Sequence, residues 1–305
     1  MAVSGQGSKA ISGGKPSDSE TSGFKLDSRF YIITAIVILV YIPVLYGLVV
    51  DWYNDSNYSH GFLIVPVSVW LIWRQREELG KMKIESSNLG LVGIIVALLI
   101  FIVGTAGAEY FSVRFSFVLL AASLALYFFG WPIFRKVWFA FFFLLFMIPI
   151  PYVLYYSMTF PMQLFASKIA SGLLSVIGLP LVRSGNVLYL PGGTALEVAE
   201  ACSGLRSIMS LLALGALFAF MTQENKFKAV ILFASTVPIA ILGNVMRICF
   251  TAVGTYAISE KFIEGTLHEI AGLLVFLFSF IMLLIVGSLL KWKELPVDII
   301  SSSRS

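Results

Sequence analysis

The sequence predicts an all-α, polytopic membrane protein. Of its 305 residues, 58% are hydrophobic and only 12% are charged, and the mean hydropathy is +0.91. An ordinary soluble domain is closer to half apolar and a quarter charged. The apolar residues form stretches of about 20, the helix length that crosses about 30 Å of hydrocarbon. Because these stretches lack strand-like alternation, and lipid cannot satisfy free backbone groups, the spans are expected to be helices.

Eight stretches are candidate membrane-spanning helices. They cover residues 30–50, 58–73, 89–107, 111–130, 137–156, 203–221, 229–247 and 268–290. The first is too long for the core of a cleaved signal, so we expect it to stay as an anchor. The membrane domain is predicted over residues 29–293. The Ser- and Gly-rich segment 1–28 is a predicted disordered cytoplasmic tail, and residues 294–305 are a short cytoplasmic tail.

The segment 161–179 decides the predicted topology. It carries polar residues such as Gln163 and Lys168 among apolar ones, which is typical of an amphipathic helix in the membrane interface. Short cytoplasmic loops hold an excess of Lys and Arg. With the N-terminus inside and this segment outside the bilayer, most of the 21 Lys and Arg residues are cytoplasmic; if it crosses, fewer than half are. The eight-span arrangement is therefore preferred.

The segment 182–200 predicts a short hairpin or ordered loop on the outer side of the membrane. Its β-branched and aromatic residues are interrupted by Ser184-Gly185-Asn186 and by Pro191-Gly192-Gly193. Such small and turn-forming residues between apolar runs are typical of hairpin connections.

Three residue types that cooperate in thiol chemistry fall at the outer ends of successive predicted spans: Cys202, Arg247 and His268. A nearby cation or helix N-terminus lowers the pKa of a thiol and favours the nucleophilic thiolate. Arg206 lies four residues after Cys202, on the same helix face. A histidine can transfer a proton near neutral pH, and an arginine can hold an oxyanion or a carboxylate.

Each of these residues also has a purely structural interpretation. A lone cysteine in an apolar chain is usually a small core residue, and Cys249 keeps that interpretation. The arginines can pair with nearby glutamates at the interface. His60 is a rival of His268, because both are predicted to lie outside, and spacing alone does not choose between them. The two cysteines have no CxxC spacing, which argues against a disulfide scaffold.

The sequence resembles the exosortase and archaeosortase family of integral membrane cysteine transpeptidase-like proteins. Four motifs carry the resemblance, which runs from about residue 32 to residue 290. They are Tyr58-Ser59-His60-Gly61-Phe62-Leu63, Glu200-Ala201-Cys202-Ser203-Gly204-Leu205-Arg206-Ser207, Gly243-Asn244-Val245-Met246-Arg247-Ile248 and His268-Glu269-Ile270-Ala271-Gly272. The resemblance implies a catalytic Cys202, Arg247 and His268 on the outer side of the cytoplasmic (inner) membrane, and it favours His268 over His60.

The resemblance also implies the substrate. Family members act on exported proteins whose C-terminal tail combines a short signature such as Pro-Glu-Pro, a hydrophobic span and a basic cluster, and the acceptor is expected to be a lipid or glycan of the cell envelope. The setting implied is exopolysaccharide production in Gram-negative bacteria. Candidate substrate-binding residues lie around the motifs: Arg206, His60, Asn244, Glu200 and Glu197.

Other functions stay open at this point. The leading alternative is a transporter or assembly scaffold for exopolysaccharide export, in which charged residues line a polar path. A plain membrane cysteine protease is a nearer rival, and a thiol oxidoreductase is the weakest because no paired thiols are present. We expect no cofactor and no metal, and the net charge of +4 follows from cytoplasmic loops rather than from nucleic-acid binding.

Overall fold

The computed structural model describes residues 28–198, 205–258 and 266–292, and the side chains within those ranges except at 205–207, 266–269 and 292. These residues fold into long helices and one small sheet, which confirms the predicted all-α membrane class. The helices are α1 Ser28–Asn54, α2 Gly61–Arg74, α3 Arg76–Leu79, α4 Asn88–Ala106, α5 Tyr110–Leu144, α6 Tyr152–Val176, α7 Leu205–Thr222, α8 Lys226–Ala257 and α9 Thr266–Trp292. The predicted tails at 1–28 and 294–305 fall outside the described residues, except for Ser28 in α1.

Five helices among the described residues are long and apolar enough to cross a membrane: α1, α4, α5 with the turn that follows it, α8 and α9. Helix α2 and the described part of α7 are apolar but shorter. The chain is therefore a multi-pass membrane protein, while the predicted number of eight spans is not confirmed.

Helix α5 folds back on itself at Gly130. Near its start, Arg114 contacts Asp51 at 2.7 Å, and just after its end the carbonyl of Met147 accepts a 2.8 Å hydrogen bond from Trp52. In a straight helix, residues 114 and 147 would lie about 50 Å apart. Gly130 has φ 79°, and a Cβ atom there would overlap the Glu85 carbonyl, so only glycine fits the bend. The bend separates the two halves that the sequence predicts as segments 111–130 and 137–156.

The predicted segment 137–156 is not one helix. Helix α5 ends at Leu144, a 3-10 turn covers Leu145–Met147, and α6 begins at Tyr152. Pro149 and Pro151 lie in the gap, where each removes a backbone donor and restricts the residue before it.

Helix α6 contains the predicted interfacial segment 161–179 but extends further toward the N-terminus. Its buried residues Ala166, Ala170 and Leu174 share one cluster with Val245 and Ile248 of α8. These positions span two turns of α6, so α6 packs along α8. Its predicted orientation in the plane of the interface is not confirmed.

The predicted hairpin is a three-stranded antiparallel sheet of β1 Val182–Ser184, β2 Val187–Tyr189 and β3 Ala195–Glu197. A two-residue turn joins the first two strands, with Gly185 at φ 63°, which matches the right-handed twist of a tight hairpin. Leu188 and Leu196 are buried in the cluster between α6 and α8. The sheet therefore packs against the second half of α8.

Helices α7, α8 and α9 pack together into a three-helix unit. Small residues let their backbones approach closely, as is common between membrane helices. A Cβ atom on Gly243 would overlap the Ser279 hydroxyl, and one on Gly215 would overlap the Thr236 side chain. This unit carries four of the eight predicted site residues: Arg206, Asn244, Arg247 and His268.

Candidate functional site

Arg247 lies on α8 and faces α9. A Cβ atom built on Gly272 would lie 3.4 Å from Nη2 and 3.5 Å from Cζ of Arg247. The absence of a side chain at Gly272 therefore lets the guanidinium lie directly against the α9 backbone. His268 occupies the position four residues earlier on α9, one helical turn from this contact.

The position of Arg247 within α8 differs from the prediction. The sequence predicts that the span ends at Arg247, but α8 continues for ten more residues to Ala257. Arg247 follows Lys226, the first residue of α8, by 21 residues, or about 32 Å of helix. This is about the thickness of the hydrocarbon core of a bilayer, so one helical segment can place Lys226 at one surface and Arg247 at the other.

A small, mostly apolar cavity lies beside Arg247. It has a volume of about 10 Å³ and is lined by Asn244 and Arg247 of α8, Leu211 of α7, and Val275 and Ser279 of α9. That volume holds about one water molecule. Asn244 is 6% exposed, and its Oδ1 has no hydrogen-bond partner within the described part of the chain. The cavity therefore joins two predicted site residues, Asn244 and Arg247.

The other predicted residues of the C-terminal site are described less fully. Arg206 is the second residue of α7 and His268 the third residue of α9, and the structure describes their backbones only. Cys202 and Glu200 lie outside the described residues. The catalytic arrangement of Cys202, Arg247 and His268 therefore stays a prediction.

Glu197 and His60 are described in full, and neither has a described contact with Arg247. Glu197 is exposed on β3 between the buried residues Leu196 and Val198, so it faces away from the α6–α8 cluster. His60 precedes α2, and its Nε2 lies 3.1 Å from the Phe146 carbonyl. Burial lowers the pKa of His60, opposed by the backbone groups of Phe146 and Asn57.

The sequence analysis missed two residues of α8, Thr251 and Thr255. Both are more than nine-tenths buried, and the hydroxyl of each has no hydrogen-bond partner among the described residues. Their spacing of seven and eleven residues from Asn244 places all three on one face of α8. The spacing can be read from the sequence, but both threonines lie beyond Arg247, where the predicted span ends.

The fold and this polar region define a class of protein: a multi-pass helical membrane protein with an arginine site between its last helices. A family model described as transmembrane exosortase matches residues 52–285. The match covers more than half of the chain and includes all four motifs, so the chain belongs to the transmembrane exosortase family. No curated protein and no solved structure gives a match.

Proposed function

We propose that this exosortase is a cysteine peptidase that acts as a transpeptidase. It removes the C-terminal sorting signal of exported proteins and transfers them to a lipid or glycan acceptor in the cell envelope. It works in the inner membrane with its active site on the periplasmic side. Family membership supports the general class, and the arrangement around Arg247 supports the location of the site.

The contact between the Arg247 guanidinium and Gly272 is the observation that carries the proposal. It fixes a permanently charged group one helical turn from His268. A charge costs about 2.5–3.5 kcal/mol at the centre of a membrane helix on insertion scales and less near the interface, which is where the spacing from Lys226 places Arg247, so an arginine is tolerated at this depth.

Chain connectivity supports the inclusion of Cys202 in the same site. Cys202 is four residues after Val198, which is buried in the cluster with Val245 and Ile248 of α8. It is three residues before Leu205, where α7 begins. Segments of four and three residues reach at most about 14 Å and 11 Å. Val198, which follows β3, and Leu205, which begins α7, both belong to parts of the chain that pack against α8.

The proposed reaction follows from these residue types. The thiolate of Cys202 attacks the scissile carbonyl carbon, and Arg247 stabilises the negative charge that forms on the carbonyl oxygen. The C–N bond then breaks, and the His268 imidazolium donates its proton to the leaving amine. The resulting thioester is attacked by an acceptor nucleophile, or by water if no acceptor is present, and the proton of that nucleophile passes to the neutral His268 imidazole. The C–S bond then breaks, which releases the Cys202 thiolate and restores the His268 imidazolium.

Substrate positioning is assigned to the polar residues near these three. Asn244 lines the same cavity as Arg247, and its Oδ1 has no hydrogen-bond partner among the described residues. Arg206 and Glu200 adjoin Cys202 in the sequence, while Glu197 and His60 have no described contact with Arg247 and are the weaker candidates.

The test is intact-mass analysis of a co-expressed substrate that carries a candidate tripartite tail. We expect the wild-type enzyme to remove the tail and Cys202→Ala to lose at least about 10³-fold of this activity. Cys249→Ala is the matched control, because Cys249 is half-buried on α8 with its thiol near the Ala170 carbonyl. Added mass on the product identifies a transferase. An intact tail with the wild-type enzyme would instead favour the transporter or scaffold.

A further inference from the structure

An open apolar groove lies between α2 and the two halves of α5. Its volume is about 570 Å³, which is within the range of ligand sites in proteins. Val69 and Trp73 of α2 line it together with Ala125 and Phe141 of α5. Among the described residues that line the groove, Arg76 of α3 is the only charged one. The groove therefore combines an apolar surface with a single cation.

The end of the groove that carries Arg76 lies at a membrane surface. Gln75 donates a 3.2 Å hydrogen bond to the Lys136 carbonyl, and the Lys136 ammonium donates one of 2.8 Å to Glu78, so the end of α2 lies beside the bend of α5. Segments 74–87 and 130–136 together carry six basic and three acidic residues, an excess that is typical of the cytoplasmic side. Exposed tryptophans, which favour the membrane interface, lie in the same two regions: Trp73 and Trp131.

The groove extends about half-way across the membrane. Val69 is five residues before Arg74, the last residue of α2, which is about 7.5 Å of helix. Phe141 is eleven residues after Gly130, the bend of α5, which is about 16 Å. The hydrocarbon core of a bilayer is about 30 Å thick, so one leaflet is about 15 Å. The groove therefore fits the acyl chain of a phospholipid and is too short for a membrane-spanning peptide helix.

The Arg76 guanidinium is accessible to a lipid headgroup. It lies over the Trp73 ring, 4.2 Å from the centroid, and donates to the Trp73 carbonyl at 3.3 Å. Its contact with the Glu77 carboxylate is 3.6 Å long, and both side chains are more than half exposed, so this pair contributes little. Glu78, the other acidic residue of α3, is paired with Lys136. A phosphate can therefore compete for the guanidinium, whose planar donors match phosphate oxygens.

We infer that this groove binds an anionic phospholipid of the cytoplasmic leaflet. One acyl chain lies in the groove, and the phosphate lies at Arg76. A phospholipid without net charge fills the groove equally well but gains less from the arginine, because it carries a cation beside its phosphate. One Lys or Arg near a membrane surface strengthens the attraction of anionic lipid by a factor of about 5. Binding of this lipid is independent of the proposed peptidase reaction.

The experiment measures lipid binding to the purified full-length protein by native mass spectrometry. Delipidated protein in detergent is titrated with phosphatidylglycerol or with phosphatidylcholine of identical acyl chains. We expect the wild type to bind the first phosphatidylglycerol molecule at least about 5-fold more tightly, and Arg76→Gln to reduce this preference to within about 2-fold. Arg74→Gln is the matched control and should keep the preference, because Arg74 also lies over a tryptophan, Trp70, but does not line the groove.

A second variant tests the groove itself. Ala125→Phe places an aromatic ring in the groove, so it should weaken phosphatidylglycerol binding at least as much as Arg76→Gln does. Thermal unfolding in the same detergent without lipid shows whether each variant is folded. Equal binding of the two lipids by the wild type would identify non-selective annular lipid and overturn the inference. Equal losses in Arg74→Gln and Arg76→Gln, or unchanged binding in folded Ala125→Phe, would also overturn it.

Discussion

Two arginines illustrate how differently the two halves of this molecule use charge. Arg114 of α5 is 8% exposed, and its guanidinium contacts the Asp51 carboxylate at 2.7 Å. Arg247 of α8 lies against Gly272 and lines a small cavity with Asn244. The first arginine joins α1 to α5, while the second packs between α8 and α9 beside a cavity of about 10 Å³.

The surroundings of the two arginines extend this contrast. Near Arg114, buried polar groups bond to one another: Tyr41 with Ser116, and Trp52 with the Met147 carbonyl. On α8, Asn244, Thr251 and Thr255 each keep a buried polar atom without a described partner. Pairing therefore ties α1 to α5, whereas buried groups without a partner, which among the described residues also include Nδ1 of His60, need another explanation.

The largest expected effect is on the activity of Arg247 variants. Arg247→Lys keeps the charge but loses the planar fork of donors, so we expect substrate processing to fall about 10²- to 10³-fold. The measurement is the initial rate of tail removal by purified enzyme. Arg114→Lys is the control and should stay within a few-fold of wild type. Equal losses in the two variants would contradict the distinction between the arginines.

At the contact between α1 and α5, the expected effect is on stability rather than on activity. Asp51→Asn leaves Arg114 buried without its counter-ion, which should lower the unfolding free energy by about 1–3 kcal/mol, since Asp51 is partly exposed. The measurement is thermal or denaturant unfolding in detergent. Glu78→Gln is the matched control, because Glu78 pairs with Lys136 at 2.8 Å in an exposed pair. A similar loss in both variants would show that burial of the Arg114 pair is unimportant.

Composition and turn residues were sufficient to predict the class of fold and the small sheet. The sequence Ser184-Gly185-Asn186 marks the tight turn because glycine adopts a positive φ there. Positions of polar residues were predicted where a motif contained them, as for Asn244 and Arg247. These signals are local, so they can be recognised without the tertiary structure.

The ends of the helices were predicted less well than the class of fold. Hydropathy shows where a segment can lie in the membrane, but a helix can continue beyond its apolar part. The predicted span ended at Arg247, where the apolar run is interrupted, but α8 continues to Ala257. Val245, Ile248 and Ala252 pack against α6 and the sheet, and this tertiary contact stabilises the extension. Thr251 and Thr255 lie in that extension, beyond the end of the predicted span.

A smaller effect is expected from the close contact of α8 with α9. A Cβ atom on Gly243 would overlap the Ser279 hydroxyl, so Gly243→Ala should destabilise the protein by about 1–3 kcal/mol and lower activity by displacing Arg247 from Gly272. Adding Ser279→Ala removes the overlapping atom and should restore most of both losses. Unfolding and processing assays on the single and double variants measure this. No recovery in the double variant would contradict a steric cause.

The smallest expected effect is a pH dependence from His60, whose Nε2 contacts the Phe146 carbonyl near the end of α5. Burial lowers the pKa of folded His60 below its ordinary value of 6.5. Between these two pKa values the unfolded chain binds more protons than the folded one, so stability rises with pH. The contribution of His60 is present above about pH 6.5 and is lost as the pH falls through the folded pKa.

Comparison of wild type with His60→Gln isolates this contribution, because both proteins retain His268 and every carboxylate. The glutamine can still donate a hydrogen bond to the Phe146 carbonyl, which Nε2 of His60 contacts at 3.1 Å, but it cannot take up a proton. We expect Tm to fall further between pH 7.5 and 5.5 in the wild type than in the variant. Equal shifts would mean that folding does not lower the pKa of His60, which would contradict its burial beside the Phe146 carbonyl.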